Sequence, residues 1–286
     1  MWAGRSLPQW KRLGQRSFYQ AEDLLRRREP YCVSACARFL DMARFSDCLW
    51  GFRDGKGSIN ALLLYSKQTL LPVFPVSEAG VRPSRPMLRF LTKGQFHAIQ
   101  GLRRDILTME EIMTGLGRKS VEPIDYDLMA LEWGPIPETL RAGPPGLIIR
   151  TPESRELENV LPLQAAYEKE EVLPQGSSFS MAVCRMNLEH IFKGQQILVA
   201  ELGGRIVAKA NTSAFSFTRA QIGGVFVLPD HRGRGIARRL CAELAGLLKK
   251  SGWSIGLFVK KRNCGAQKAY RSIGFKPIAD YRISYY

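Results

Sequence analysis

The stretch VFVLPDHRGRGIA, from Val225 to Ala237, decides how the fold of this chain is interpreted. An apolar run ends at Pro229, an Arg/Gly-rich turn follows, and an amphipathic helix is predicted to continue to Ser251. Glycines let a backbone adopt positive φ and approach a ligand closely, and the first N–H groups of a helix have no internal partner. A strand, a glycine turn and a helix N-terminus in this order predict a binding site for a phosphate group.

Two better-known phosphate loops do not fit this turn. A Walker loop requires a first glycine, four further residues and then Gly-Lys-Ser/Thr, and the turn has no such run. A dinucleotide-binding loop requires a third glycine where this chain has Arg238. The turn alone is also consistent with a plain strand–turn–helix connection that carries surface arginines.

A second stretch, NCGAQKAYRSIGF from Asn263 to Phe275, adds to the first. Together the two stretches resemble the acyl-CoA site of the GNAT N-acetyltransferase superfamily, whose patterns are (Q/R)xxGx(G/A) and NxxAxxxYxxxGF. The matching residues are Arg232, Gly235 and Ala237 in the first pattern, and Asn263, Ala266, Tyr270, Gly274 and Phe275 in the second. The resemblance covers roughly residues 147–286.

The resemblance implies an α/β fold with a mixed central sheet flanked by helices, the acyl-CoA N-acyltransferase fold. It also implies acetyl-CoA as co-substrate and direct transfer of the acyl group to a primary amine in a ternary complex. The residues expected to bind the co-substrate are Val225, Phe226, Val227, Arg232, Gly233, Arg234, Gly235, Ile236, Ala237, Asn263 and Tyr270.

Two of these residues carry an expected catalytic role. Tyr270 would protonate the departing CoA thiolate as general acid, although its position also fits a core tyrosine on a short helix. Asn263 would hydrogen-bond the co-substrate or an ordered water, and it also fits the N-cap of a helix over 264–273. The backbone N–H of Val227 is a candidate to polarise the thioester carbonyl.

The general base for the acceptor amine is left open by the sequence. Family members often carry a glutamate on a central strand, where this chain has Gln221. The candidate acids are Asp230, Glu201, Glu168, Glu170 and Glu171. Each also fits a solvated surface acid, and bulk water is a further alternative.

The formal net charge of +16 fits a nucleic acid, an acidic protein or an anionic co-substrate as partner. Between Arg232 and Lys276 there are 12 basic residues and one acid, Glu243, so the excess surrounds the predicted phosphate turn. This distribution favours the phosphates of CoA. Two alternatives stay open: a non-catalytic CoA-sensing or protein-binding module, and an acetyltransferase acting on tRNA or a ribosomal protein.

The remaining composition indicates a cytoplasmic protein without a membrane partner. No run of ~18 apolar residues is present, and the basic N-terminal segment lacks the apolar core of a secretory signal. The six scattered cysteines favour reduced thiols over disulfides or a metal site. The acceptor and the oligomeric state are not indicated.

The Gly/Pro-rich segment 141–146 predicts a boundary between two domains, 1–146 and 147–286. The second is expected to have the element order β-α-α-β-β-β-α-β-α-β. The first is expected to be an α/β domain, and a degenerate copy of the second is one interpretation of its weaker rhythm. It has a hairpin around Arg53–Gly57, a strand near 70–76, the turn Phe90–Gly94 leading into a helix over Gln95–Leu107, and a strand over 123–131.

Overall fold

The computed structural model of the protein describes residues 9–42, 48–74, 82–131, 134, 140 and 143–286. Residues 141 and 142 of the predicted linker lie outside this part of the chain. The described residues form two compact units. One unit runs to Tyr126 and also contains Ala279–Tyr286, and the other spans Asp127–Ile278.

The elements of the N-terminal half alternate between short strands and helices. They are β1 (Gln9–Arg12), α1 (Phe18–Arg28), α2 (Val33–Asp41), β2 (Cys48–Arg53), β3 (Ile59–Ser66), β4 (Thr69–Val73), α3 (Arg85–Lys93), β5 (Ala98–Leu102), α4 (Arg103–Gly115) and β6 (Glu122–Leu131).

The C-terminal half repeats this order. Its elements are β7 (Ile148–Arg150), α5 (Leu157–Tyr167), α6 (Met181–Gly194), β8 (Ile197–Leu202), β9 (Arg205–Phe215), β10 (Arg219–Val227), α7 (Ile236–Lys250), β11 (Ser254–Lys260), α8 (Cys264–Ile273) and β12 (Phe275–Tyr285). A π-helical turn, Glu168–Val172, follows α5.

Both halves therefore have the order β-α-α-β-β-β-α-β-α-β, which was predicted for the second half, and their sheets agree as well. In the first unit β1, β2, β3, β4 and β5 lie side by side, and only β4 and β5 are parallel. In the second unit β7, β8, β9, β10 and β11 lie side by side, and only β10 and β11 are parallel. The N-terminal half is thus a second copy of the same fold.

The compact units do not coincide with the boundary predicted at residue 146. Residues 127–131 of β6 belong to the second unit, where Met129 is fully buried in the core. Residues 281–285 of β12 pair antiparallel with β5 in the first unit. The linker prediction was based on local composition, which carries no information on the pairing of β12 with β5, since these strands are far apart in the sequence.

The core of the second unit forms between the sheet and α7. The apolar stripe of α7 is Ile236, Leu240, Leu244 and Leu248, all buried. Leu247, three residues after Leu244, lies at the border of this stripe and is 40% exposed.

The helix predicted near Gln95–Leu107 is wrong over residues 95–102, whereas residues 103–107 are the start of α4. Residues 98–102 form β5, where Ile99 and Gly101 are buried and their neighbours are only half-buried. The predicted lead-in turn is the end of α3, which stops where the Gly94 N–H bonds to the Phe90 carbonyl at 2.8 Å. Short apolar runs do not distinguish strand from helix, and here pairing with β4 and β12 decides the outcome.

Candidate functional site

The Arg/Gly turn connects β10 to α7 with two glycines in left-handed conformation. Gly233 has φ of 76° and Gly235, the N-cap of α7, has φ of 77°. Among the described contacts, no side chain caps this helix. Its first N–H groups are therefore open to an anion, and the helix dipole adds to their attraction. Arg232 and Arg234 are exposed beside them.

The strand that leads into the turn leaves part of its edge open. The parallel register of β10 with β11 covers Arg219–Ile222, whereas Val225, Phe226 and Val227 come after it. On the other edge, Leu228 donates its N–H to Val207 of β9 at 3.0 Å. Because successive N–H groups of a strand point to opposite edges, the N–H of Val227 points away from β9.

A β-bulge lies at the start of this open edge. Two residues of β10, Gly224 and Val225, stand opposite one residue of β9. Gly224 has φ of 59°, and a Cβ atom there would lie 2.1 Å from Oδ1 of Asn211. Only glycine fits this position, and the bulge aims the following backbone of β10.

A buried lysine holds the bulge. Lys209 of β9 donates from Nζ to the Gly224 carbonyl and to Asn211 Oδ1, both at 2.8 Å. The Gly224 N–H donates to the hydroxyl of Tyr167 at 3.3 Å, and that ring lies 4.9 Å from the Lys209 ammonium. Burial lowers the pKa of Lys209 to about 7, partly offset by Glu168. Sequence reasoning missed this residue, although a lysine between alanines in an apolar strand is a signal.

Tyr270 lies on α8 and Asn263 is the N-cap of this helix, the positions that the sequence predicted. Asn263 caps the helix, since its Oδ1 accepts from the Ala266 N–H at 3.0 Å, and its Nδ2 donates to Glu171 at 3.1 Å. Tyr270 is 8% exposed and packs edge-on against Phe275. Burial raises the pKa of the Tyr270 phenol well above its usual value, so the group is protonated at neutral pH.

The acidic residues after α5 contact the basic residues of the site. Glu170 pairs with Arg232 at 2.8 Å. Glu171 pairs with Lys260 at 3.0 Å. A cavity of about 520 Å³ opens here, lined by Glu170, Glu171, Lys260 and residues 262–265. The sequence singled out both acids, but not Lys260, the partner of Glu171.

The other candidate bases have different surroundings. Gln221 is buried and donates to Ser213 Oγ at 3.0 Å. Glu201 binds Arg150 at 2.7 Å, which makes it part of an ion group with Glu156. Glu168 is buried and accepts from Gln164 and Asn187. Asp230 is exposed in the turn after β10. Of the acids, Glu170 and Glu171 line the cavity.

The described residues fit an acyl-CoA. The open N-terminus of α7 would suit a pyrophosphate, and β10 beyond Ile222 lies outside the register with β11. On this part of β10 the Val227 carbonyl accepts from Arg232 Nε at 3.0 Å. Arg232, Arg234 and Lys260 supply positive charge around these groups. Among the described helices, none combines the length and the apolar character needed to span a bilayer.

The chain was also compared with known proteins. Residues 164–275 match the family model described as the acetyltransferase (GNAT) family. None of the curated proteins compared with the chain matches it significantly.

Solved structures share the fold over nearly the whole chain. A Drosophila protein aligns over 98% of this chain and 99% of its own, with 13% identity and a TM-score of 0.66. A GCN5-related N-acetyltransferase from Sphaerobacter thermophilus aligns over 98% and 96%, with 18% identity and a TM-score of 0.61. A tandem GNAT protein from the clavulanic acid biosynthesis pathway aligns over 98% of both chains, with 15% identity and a TM-score of 0.59.

Proposed function

Because residues 164–275 of this chain form a GNAT acetyltransferase domain, we propose that the protein transfers an acyl group from acetyl-CoA to a primary amine. The observation that carries this proposal is the open, glycine-led N-terminus of α7 directly after the open edge of β10. An anion and an extended arm are the two chemical features of a CoA thioester that this arrangement matches. The six free cysteines favour a cytoplasmic location.

The residues of the site would have the following roles in the reaction. Acetyl-CoA supplies an activated acyl thioester. The Val227 N–H, which points away from β9, would donate to the carbonyl oxygen as negative charge develops there. The Tyr270 hydroxyl, which keeps its proton because of its raised pKa, would donate that proton to the departing sulfur. Direct attack by the amine needs no covalent intermediate on the protein.

The acceptor amine must lose a proton, and Glu171 is the acid best placed to receive it. Its carboxylate lines the cavity and is 23% exposed. Its contacts with Lys260 and Asn263 hold it in one position. A carboxylate here also attracts the ammonium form of the acceptor.

Calorimetric titration with acetyl-CoA tests the binding part of the proposal. The double variant Arg232→Glu/Gly235→Asp replaces a cation by an anion and puts a second carboxylate at the N-cap of α7, where it competes for the open N–H groups. Each change should weaken binding of an anion by roughly 1–2 kcal/mol. We expect affinity to fall at least about 30-fold, since 1.4 kcal/mol corresponds to tenfold. The exposed substitution Lys193→Glu on α6 is the matched control. No binding of any acyl-CoA by the unmodified chain would refute the proposal.

Turnover of a panel of primary amines tests the chemical part. Tyr270→Phe should lower kcat by about 100-fold or more and leave the Kd for acetyl-CoA unchanged, because general acid catalysis is typically worth 10²–10⁴. An unchanged kcat would remove Tyr270 from the mechanism.

One observation favours a non-catalytic CoA-sensing module instead. The buried Gln221 is held by Ser213, so the central strand carries no carboxylate at that position. Tight binding without turnover of any amine would support the sensing function. Salt-dependent retention of the chain on RNA would point to an acceptor in tRNA or a ribosomal particle.

A further inference from the structure

Two cysteine side chains meet at the start of α2 in the first unit. Cys32 is the N-cap of this helix and Cys36 lies in its first turn. Their Sγ atoms are 3.7 Å apart. Cys36 is fully buried, whereas Cys32 is half-buried and so accessible to a small solute. None of the residues proposed for acyl transfer takes part in this contact.

The local backbone allows the two sulfur atoms to come closer. Residues four apart on a helix have Cβ atoms about 5–6 Å apart, and a disulfide needs about 3.5–4.5 Å. The required shift of ~1–2 Å falls on Cys32, which lies outside the regular helix with φ of −144° and ψ of 39°. A short 3-10 turn, Glu29–Tyr31, precedes Cys32, so the backbone on this side of Cys32 is not held by the hydrogen bonds of α2.

The two thiols differ in the way that stepwise oxidation requires. Contact with Cys32 and burial raise the pKa of Cys36 well above its usual range. Cys36 therefore keeps its proton until it reacts, and because it is fully buried an oxidant reaches it less readily than Cys32. Cys32 is the thiol that a peroxide reaches first, because attack on a peroxide depends on access.

We propose that Cys32 and Cys36 form an oxidisable dithiol site that hydrogen peroxide converts to an intramolecular disulfide. The Cys32 sulfur attacks one peroxide oxygen, the O–O bond breaks, and Cys32 sulfenic acid and one water result. The Cys36 sulfur then attacks the Cys32 sulfur and the S–O bond breaks. Hydroxide leaves with the Cys36 proton as the second water, so both sulfurs are oxidised and both oxygens are reduced.

The position of the arginines makes this site simple to assay. Trypsin releases Glu29–Arg38, which contains Cys32 and Cys36 and no other cysteine. It releases Cys264 separately in the peptide 263–268. Because Cys264 is exposed, its peptide is an internal reference for accessibility without a nearby thiol in the same fragment.

The experiment treats the full chain with graded hydrogen peroxide, blocks free thiols with iodoacetamide and analyses the tryptic peptides by mass spectrometry. At doses that leave Cys264 alkylated, we expect peptide 29–38 to carry no alkyl group and to weigh two hydrogens less than the unmodified reduced peptide. Treatment with dithiothreitol before alkylation should restore the doubly alkylated peptide. Two results would overturn the proposal: a doubly alkylated peptide at doses that oxidise Cys264, or Cys32 sulfinic acid beside an alkylated Cys36.

Variants separate resolution by Cys36 from simple exposure of Cys32. In Cys36→Ser the disulfide cannot form, and Cys32 should proceed to sulfinic acid, whereas Cys264→Ser should leave disulfide formation unchanged. If Cys36→Ser does not fold, phenylarsine oxide on the unmodified chain gives an independent reading. This trivalent arsenical bridges two adjacent thiols, so it should protect both cysteines of peptide 29–38 from alkylation. If the arsenical protected neither cysteine from alkylation, the proposal would be contradicted. None of these measurements depends on acyl transfer.

Discussion

Lys209 carries a fully buried amino group, and its surroundings make the stability of the second unit depend on pH. Burial lowers its pKa from 10.5 to about 7 in the folded chain, while the unfolded chain keeps the ordinary value. Between these values the unfolded state binds one more proton. Stability contributed by this group therefore rises as pH increases from about 7 to about 10.

The substitution Lys209→Met should flatten this dependence. We expect the unmodified protein to gain roughly 3–5 kcal/mol relative to the variant between pH 7 and pH 10, since one pKa unit corresponds to about 1.4 kcal/mol. Urea unfolding at several pH values measures the difference, with the exposed Lys193→Met as control. If the unfolding free energies of the protein and of Lys209→Met changed with pH in parallel, Lys209 would be charged in the folded state over this whole pH range.

Gly224 gives a second prediction at the residue scale, with Gly203 as matched control. Both glycines have φ of 59°, but a Cβ atom at 203 meets nothing within 4 Å. Gly203→Ala should cost about 1–2 kcal/mol for the left-handed backbone alone. Gly224→Ala should cost a further ~1–3 kcal/mol, because the new methyl group overlaps Asn211. Equal losses of unfolding free energy would show that the bulge relaxes freely.

At the scale of elements, the π-helical turn Glu168–Val172 lies against the groups proposed to hold acetyl-CoA. Its Glu170 pairs with Arg232, and both side chains are nearly half exposed. Such an exposed pair is worth only about 0.2–1 kcal/mol. The carboxylate therefore competes weakly with a phosphate for the same guanidinium.

Glu170→Gln should accordingly tighten acetyl-CoA binding by about two- to fivefold, because Arg232 loses a competing anion. Calorimetric titration measures the change. Glu158→Gln is the control, since it removes an exposed carboxylate that pairs with Arg185 and not with the site. Weaker binding in Glu170→Gln would mean that the pair positions Arg232 for the phosphate instead of competing with it.

At the scale of the whole molecule, the last residues of the chain stabilise its first unit. Tyr281 is 3% exposed, and Arg282 binds Asp125 at 2.7 Å and Glu110 at 3.1 Å. Residues 281–285 also cover the edge of β5. An edge strand without its neighbour loses its backbone hydrogen bonds on that side.

Deleting residues 279–286 should therefore unfold or loosen the first unit before the second. Hydrogen exchange is expected to show lost protection in β5 while the amides of α7 keep theirs. The deletion of residues 9–12, which form the opposite edge strand β1, is the control for loss of one strand. Full protection of β5 in the chain lacking 279–286 would contradict the assignment of these residues to the first unit.

Several features of this molecule could be read from the sequence because they depend on neighbouring residues. The glycines at 233 and 235 and the start of α7 follow from local conformational preference and helix-end chemistry. The helix Cys264–Ile273 has the predicted bounds, because its Asn263 cap and the left-handed Gly274 lie within the same stretch. The motif residues that carry the family resemblance are of this local kind.

Other features were decided only by tertiary structure. Lys209 at the β-bulge, Glu170 beside Arg232 and the pairing of β12 with β5 join residues far apart in the chain. The helix prediction failed over residues 95–102 for the same reason, since strand partners outside the window override a short periodic pattern. Local preferences amount to a few tenths of a kcal/mol per residue, whereas burial and backbone pairing contribute more and act between distant segments.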